Sequence, residues 1–256
     1  MPRSGYLTRN VQVRGSIPRL GCKVNSNTQR QKKRVENTPK ICDIYYMSGL
    51  GKYALLNIEK IVQIFYYIQK RAEVTSKLEL IKFLFFGDRI NIREHFSLIS
   101  LDTYVAMKYG PVASNSLNIL NKKNDRLNNF STKELKFLDN VKKINNEKRK
   151  IDPVGFDLLS KNEMSSLDQS IMLFYKKRLI DISHDYPEWK RYKALFEKND
   201  NSSKNIVMDD FFKNPNIKDS PAIKKYFGGI DPLYKDDEYL EEAKKFYFES
   251  IGKYGR

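Results

Sequence analysis

His184 is the side chain in this sequence that could most readily do chemistry. Asp181 and Asp185 flank it, and a neighbouring carboxylate can orient an imidazole that acts as a general base. A histidine near a helix end also has an ordinary structural use, in which it is hydrogen-bonded and packs beside Trp189, the only tryptophan of the chain. We favour this structural role for His184.

The sequence lacks the patterns that nucleophilic, metal-dependent and phosphate-binding chemistry require. It has no Gly-x-Ser-x-Gly turn for a serine nucleophile and no His-Glu-x-x-His pair for a metal ion. The pair Gly228-Gly229 is too short to cradle a phosphate. Cys22 and Cys42 are the only cysteines, so the main body cannot carry a disulfide framework or a cysteine-based zinc site. These features predict a protein that is not an enzyme and that binds no metal and no cofactor.

The chain has 256 residues and a formal charge of +16, which suits a nucleic-acid partner. The distribution of the charge weakens that interpretation, because residues 1–46 hold ten Lys and Arg against two Asp and Glu and so carry half of the excess. Mean hydropathy is negative, and no apolar run approaches the roughly 20 residues that a membrane span needs. No signal-peptide pattern is visible at the start. Together with the cysteine usage, these features predict a cytoplasmic protein without a membrane partner.

The first 46 residues differ from the rest of the chain. They are rich in Arg, whereas the remainder prefers Lys, and they show little periodicity. Residues 14–19 read Arg-Gly-Ser-Ile-Pro-Arg, which fits one reading frame of a common tRNA T-arm. We expect residues 1–46 to be a disordered leader. It is either the spurious translation of a neighbouring tRNA gene, with the true start at Met47, or a flexible basic arm.

The stretch from residue 76 to residue 120 organises the main body. Ser76 and Glu79 form a capping box at a helix start, and residues 78–86 are almost entirely apolar. Glu79, Lys82 and Arg89 fall close to one line along this helix, so we predict that they form a narrow stripe facing water while neighbours cover the rest. Residues 98–109 fit a short strand or hairpin, and a further helix is expected to start at Pro111.

Helical signals recur on both sides of this stretch. Asn57 can cap a preceding helix, and capping boxes at Ser131 and Ser160 predict two later ones. Residues 142–150 read as a charged connector, and residues 199–205 as a linker. The sequence therefore predicts a mainly α protein: a compact helical domain at 47–198 with a short strand or β-hairpin, followed by a linker and helical C-terminal extension at 199–256.

Several segments of the main body, in this order, resemble a known family. They are residues 80–89, the run Tyr104-Val105-Ala106-Met107-Lys108-Tyr109-Gly110-Pro111-Val112, Leu159-Ser160 with Glu163 and Leu167-Asp168, and residues 179–184 with Trp189. Over residues 57–195 the chain resembles the Panacea domain, also called the SocA-like antitoxin domain. The resemblance implies a mainly α-helical antitoxin, or a phage-associated protein, that binds and neutralises a protein toxin encoded next to it. One type of member is thought to deliver its toxin to a protease as an adaptor.

Two groups of residues are candidates for contact with such a partner. Lys108, Tyr109, Gly110 and Pro111 form either a recognition loop or only a sharp turn. His184 and Trp189, which belong to the most specific segments of the resemblance, are candidates as well. The aromatic residues of the C-terminal extension either face the partner or pack back on the domain; they are Phe211, Phe212, Tyr226, Phe227, Tyr239, Phe246, Tyr247 and Phe248. The alternative function is a nucleic-acid-binding regulatory protein of phage or mobile-element origin, in which basic runs such as residues 176–178 contact phosphate.

Overall fold

The computed structural model of the chain describes residues 57–74, 76–121, 155–198 and 203–254. Within these ranges the chain forms nine α-helices, two 3-10 helices and a three-stranded antiparallel sheet. The prediction of a mainly α protein with a short β-hairpin is confirmed. The predicted leader at 1–46, the helix expected after Ser131 and the connector at 142–150 lie outside the described residues.

The elements follow one another with short connections in each described range. The strands are β1 (Tyr104–Met107), β2 (Gly110–Ala113) and β3 (Lys204–Asn205), and the 3-10 helices are Met208–Phe212 and Ile217–Asp219. The helices are α1 (Ile58–Ala72), α2 (Lys77–His95), α3 (Ser114–Leu120), α4 (Lys161–Phe174), α5 (Leu179–His184), α6 (Pro187–Lys190), α7 (Lys193–Phe196), α8 (Pro221–Phe227) and α9 (Asp237–Tyr254).

Three helices begin at the capping residues that the sequence indicates. The side chain of Asn57 accepts a hydrogen bond from a backbone N–H in the first turn of α1, and Ser76 does the same for α2. At α4 the capping box is complete, because Ser160 accepts from the Glu163 N–H while the Glu163 carboxylate accepts from the Ser160 N–H. Each bond satisfies a donor that has no acceptor within its own helix.

The body packs around α2, as predicted. Residues 80–86 are all at most 1% exposed. Phe86 stacks on Phe174 of α4 with the ring centroids 3.9 Å apart, and Phe85 meets Phe211 edge-on at 5.9 Å. Burial of such rings supplies a large share of the hydrophobic stabilisation of a core.

The predicted water-facing stripe on α2 is wrong for Lys82 and Arg89. Both side chains are 0% exposed. Lys82 donates from Nζ to the carbonyl oxygen of Pro111 at 2.8 Å, and Arg89 pairs with Glu188 of α6. A buried charge is tolerated only when it is hydrogen-bonded or paired, and segments distant in sequence provide those partners here.

The β1–β2 hairpin belongs to a small sheet with strand order β2-β1-β3, in which β1 is the central strand. Met107 lies opposite Gly110 at its closed end. The predicted helix start at Pro111 is wrong, because Pro111 lies in β2 and α3 begins at Ser114. Proline fits this position because β2 is an edge strand, where a missing N–H removes no ladder hydrogen bond.

The segment after residue 203 packs against α2 and its neighbours. Phe211 and Phe212 are 0% and 3% exposed, and Tyr247 of α9 is 7% exposed. Arg93 of α2 donates to the carbonyl oxygen of Leu233 at 2.7 Å. This segment therefore contributes to the same core as α2.

Candidate partner-binding surface

The six residues predicted to contact a partner come together around the β1–β2 hairpin. Lys108 and Tyr109 form its turn, and both are exposed, Tyr109 to 56%. The Nζ of Lys108 lies 5.9 Å from the centroid of the Tyr109 ring. An exposed aromatic ring beside a cation, held on a turn by a packed scaffold, suits contact with another protein. That Lys108 and Tyr109 bind a partner stays a prediction.

Gly110 and Pro111 lie buried beneath this turn. Gly110 has a φ of +99°, which side chains with a Cβ rarely adopt. A Cβ at Gly110 would lie 2.5 Å from Lys82 Nζ and 2.5 Å from Ser183 Oγ. Burial lowers the pKa of Lys82 well below its ordinary value, and its amine donates to Pro111. Through these contacts the turn packs against α2 and α5, which favours a structural role for Gly110 and Pro111.

His184 and Trp189 stack on each other beside the hairpin. Their ring centroids are 3.6 Å apart and their planes differ by 8°, so the predicted packing of His184 beside Trp189 is confirmed. Trp189 donates from Nε1 to the carbonyl oxygen of Met107 at 2.8 Å and so ties α6 to the end of β1. Burial, and then the charge of Lys82, lowers the pKa of His184 to about 4, while a hydrogen bond to the Lys108 backbone acts in the opposite direction.

The carboxylates that flank His184 are bound elsewhere in the described structure. Asp181 pairs with Arg178 at 3.0 Å, and Asp185 accepts a hydrogen bond from the Ile223 N–H at 2.8 Å. A general-base histidine needs an orienting partner for its ring. Asp181 and Asp185 do not supply one in this arrangement.

We expect the His184 imidazole to titrate at about pH 4 in the folded chain. The ordinary pKa of histidine is 6.5, so between these two values the folded state binds fewer protons than the unfolded state. The contribution of neutral His184 to stability is therefore present above 6.5 and is lost as the pH falls towards 4. An NMR titration of the imidazole carbon-bound protons measures the midpoint.

The chain has two histidines, so a His95→Gln variant assigns the signal of His184. A midpoint at or above pH 6.5 would contradict the burial of the ring.

The elements around the hairpin form a continuous part of the chain, from the first turn of α2 to the end of α6. Residues 80–190 match the antitoxin SocA-like, Panacea domain. The match confirms the resemblance predicted from the sequence motifs, and it contains all six predicted contact residues. It supports an antitoxin-family role for the chain. No curated protein and no solved structure matches the chain.

The C-terminal segment lies outside the Panacea match and divides its aromatic residues between core and surface. The sequence left open whether these residues pack back on the domain or face outwards, and both occur. Phe211, Phe212 and Tyr247 are buried, Tyr226 and Phe227 are half-buried, and Tyr239, Phe246 and Phe248 are exposed to 38%, 53% and 41%.

Sequence reasoning missed a buried polar network between the Panacea match and the C-terminal segment. Arg89 pairs with Glu188 and lies over the ring of Tyr186, with its guanidinium carbon 4.5 Å from the ring centroid. The Tyr186 hydroxyl in turn donates to Asp231 at 2.7 Å. No local signal marks this network, because Arg89 and Glu188 lie 99 positions apart in the sequence.

Metal centres and membrane-spanning helices are both absent from the described ranges. Those ranges contain no group of three or more His, Cys, Asp or Glu residues arranged to hold a metal ion. They also contain no helix that is both long and apolar enough to cross a membrane.

Proposed function

We propose that this chain is a cytoplasmic antitoxin that neutralises a cognate protein toxin by direct, stoichiometric binding and performs no catalysis. The Panacea match over residues 80–190 carries the proposal. The bound toxin is either capped and left intact or delivered to a protease. The growth experiment below tests neutralisation and distinguishes these two modes. A toxin encoded by an adjacent gene is the natural first candidate.

The hairpin turn offers a fitting contact for a protein. Tyr109 is an exposed aromatic residue, and such residues are enriched at the energetic centres of interfaces. The hairpin that carries Tyr109 is held in place by two hydrogen bonds, from Lys82 to the Pro111 carbonyl and from Trp189 to the Met107 carbonyl. A rigid anchor loses little conformational entropy on binding, which favours affinity.

The charge balance of the described ranges supports a protein partner rather than a nucleic acid. They contain 25 Lys and Arg against 23 Asp and Glu, so they carry +2 of the +16 of the chain. Within the basic run at 176–178, Arg178 pairs with Asp181, and Lys177 lies over the ring of Phe227 at 5.4 Å. Binding to duplex DNA depends on clustered cations that face phosphate.

We expect expression of the adjacent open reading frame alone to stop cell growth and its expression with the full chain to restore growth. An immunoblot of the toxin separates the two modes. An unchanged toxin level indicates capping, and a fall that depends on a protease indicates delivery. Growth arrest that the chain does not relieve, together with a gel shift of duplex DNA that fades steeply with salt, would favour the nucleic-acid-binding regulator instead.

A pair of variants locates the contact within the same assay. Tyr109→Ala should weaken toxin binding about tenfold or more, because it removes an exposed aromatic anchor. Phe246→Ala is the matched control, since Phe246 is an aromatic residue exposed to a similar extent, 53%, on α9, where its ring lies 5.2 Å from that of Phe96. Equal rescue by both variants would exclude the hairpin turn from the interface while leaving the antitoxin function in place.

A further inference from the structure

The hairpin turn belongs to a larger surface built from three segments. They are residues 104–113, which hold β1, β2 and their turn, residues 189–198, which hold α7, and residues 203–207, which hold β3. Trp189 donates to the carbonyl oxygen of Met107. The Tyr192 hydroxyl donates to the carbonyl oxygen of Asn205 at 2.7 Å, and β3 pairs with β1. These bonds join the three segments, and we call them together the hairpin surface.

The positive charge of the described ranges is concentrated on the hairpin surface. Its three segments hold six Lys and Arg against one Glu, a balance of +5. The remaining described residues hold 19 Lys and Arg against 22 Asp and Glu, a balance of −3. A negatively charged partner is therefore attracted to this surface and, on balance, repelled by the rest of the described structure.

Two of the six cations are engaged within the chain, and the other four are exposed. Arg191 is bound to the buried carboxylate of Asp210 through two hydrogen bonds of 2.5 Å. Lys190 donates to the carbonyl oxygen of Asp219. The exposed four are Lys108, Lys193, Lys198 and Lys204. The charge that a partner meets therefore comes from lysines of the hairpin turn, α7 and β3.

Two of the exposed lysines are placed near the hairpin turn by independent observations. Lys204 lies opposite Ala106 in the pairing of β3 with β1. Burial, then the charge of Lys82 and, more weakly, that of Lys193 lower the pKa of the His184 imidazole, so Lys193 lies close to this ring beside the hairpin.

The one carboxylate of the hairpin surface offsets little of this charge. Glu197 pairs with Lys193 at 3.8 Å, but the two side chains are 65% and 58% exposed. Water and salt screen an ion pair with this exposure. The hairpin surface therefore keeps an excess of positive charge.

The hairpin surface also exposes large apolar side chains, which favours an acidic protein over a nucleic acid. Tyr109, Leu195 and Val207 are 56%, 43% and 46% exposed. Apolar contacts bordered by charged groups are the usual anatomy of a protein–protein interface. A protein whose binding to duplex DNA depends steeply on salt makes about six to ten phosphate contacts, more than four exposed lysines supply.

We propose that the hairpin surface binds an acidic face of the toxin. Tyr109 packs against an apolar site on that face, and carboxylates around the site lie opposite Lys193 and Lys204. This inference deepens the proposed function and rests on it, since it states the chemistry of the toxin surface that the antitoxin contacts. The lysines act mainly on the rate of association, because charges at the rim of an interface steer the partner before contact.

The test measures association of the full chain with the purified product of the adjacent open reading frame by biolayer interferometry. The double variant Lys193→Glu with Lys204→Glu should lower the association rate constant about tenfold at 0.1 M NaCl. The loss should shrink to about twofold or less at 1 M NaCl, because the Debye length falls from about 10 Å to about 3 Å.

Two further variants exclude a folding defect as the cause. Lys161→Glu with Lys245→Glu changes the net charge by the same amount at two exposed lysines on α4 and α9, and it should change the rate about twofold or less. Glu197→Lys removes the carboxylate of the hairpin surface and should raise the rate about threefold. A damaged fold does not accelerate association.

Equal association rates of the two double variants, or a wild-type rate that does not depend on salt, would overturn the acidic face and leave the antitoxin function standing. Tight binding of a fluorescein-labelled duplex DNA that is lost in the Lys193→Glu, Lys204→Glu variant would also overturn it, because the surface would then bind nucleic acid. A wild-type chain that neither binds the adjacent product nor restores growth would overturn the antitoxin function, and this inference with it.

Discussion

Replacement of Glu188 by alanine should lower the free energy of unfolding by about 3–5 kcal/mol. Both partners of the Arg89–Glu188 pair have 0% exposed side chains. Arg89 also donates to the carbonyl oxygen of Lys213 at 2.6 Å and lies over Tyr186, so its guanidinium is held in place from three sides. Without Glu188 it would remain as an uncompensated buried charge, which costs far more than the pair itself contributes. Urea unfolding followed by circular dichroism measures the loss.

An exposed ion pair provides the comparison for this experiment. Arg71 and Asp168 are bound through two hydrogen bonds, but their side chains are 55% and 37% exposed. Asp168→Ala should therefore cost no more than about 1 kcal/mol. The double replacement Arg89→Met with Glu188→Leu should recover much of the loss, because it removes both charges and keeps most of the volume. Equal losses from Glu188→Ala and Asp168→Ala would contradict the burial of the pair.

The helix starts could be predicted because their signals are local. The capping hydrogen bonds of Ser76 and Ser160 join residues three positions apart. The pattern of residue types in the sequence is therefore enough to place these helix starts. The packing of His184 on Trp189 was predictable for a similar reason, since the two residues lie on successive short helices. The central position of α2 followed from the width of its apolar surface.

The buried cations of α2 could not be predicted, because their partners are distant in sequence. Lys82 bonds to a residue 29 positions away, Arg89 to one 99 positions away and Arg93 to one 140 positions away. Along the helix alone, the spacing of Lys82 and Arg89 is that of a solvated stripe. Only the folded arrangement supplies the acceptors that make burial of such charges tolerable.

The same limit applies to the candidate sites. The hairpin turn is a single stretch of sequence, so Lys108 and Tyr109 could be singled out from their order alone. By contrast, a cavity of about 200 Å³ between α2, α4 and residues 232–235 is lined by three separate segments, and no local pattern joins them. The prediction of a helix start at Pro111 was wrong for a different reason. Proline suits both a helix start and an edge strand, and the pairing of β2 with β1 places Pro111 in a strand.

Replacement of Gly110 by alanine should lower the free energy of unfolding by about 2–5 kcal/mol, as the sum of backbone strain and overpacking. The φ of +99° disfavours any residue with a Cβ. The added methyl group would also lie 2.5 Å from Lys82 Nζ and Ser183 Oγ, two buried atoms that are themselves hydrogen-bonded. To relieve these overlaps, the hairpin turn must move away from α2 and α5. Urea unfolding measures the cost.

Gly228→Ala separates the two contributions to this loss. Gly228 also has a positive φ, +64°, but a Cβ built there meets nothing within 4 Å, so only the backbone strain of about 1–2 kcal/mol applies. The single tryptophan gives a second readout, because Trp189 donates to Met107 at the base of the hairpin. A shift of its fluorescence in Gly110→Ala, absent in Gly228→Ala, would show that the turn has moved. Equal losses of stability and unchanged fluorescence in both variants would mean that the hairpin turn does not pack against Lys82. The proposed rigidity of Tyr109 as an anchor would then lack a physical basis.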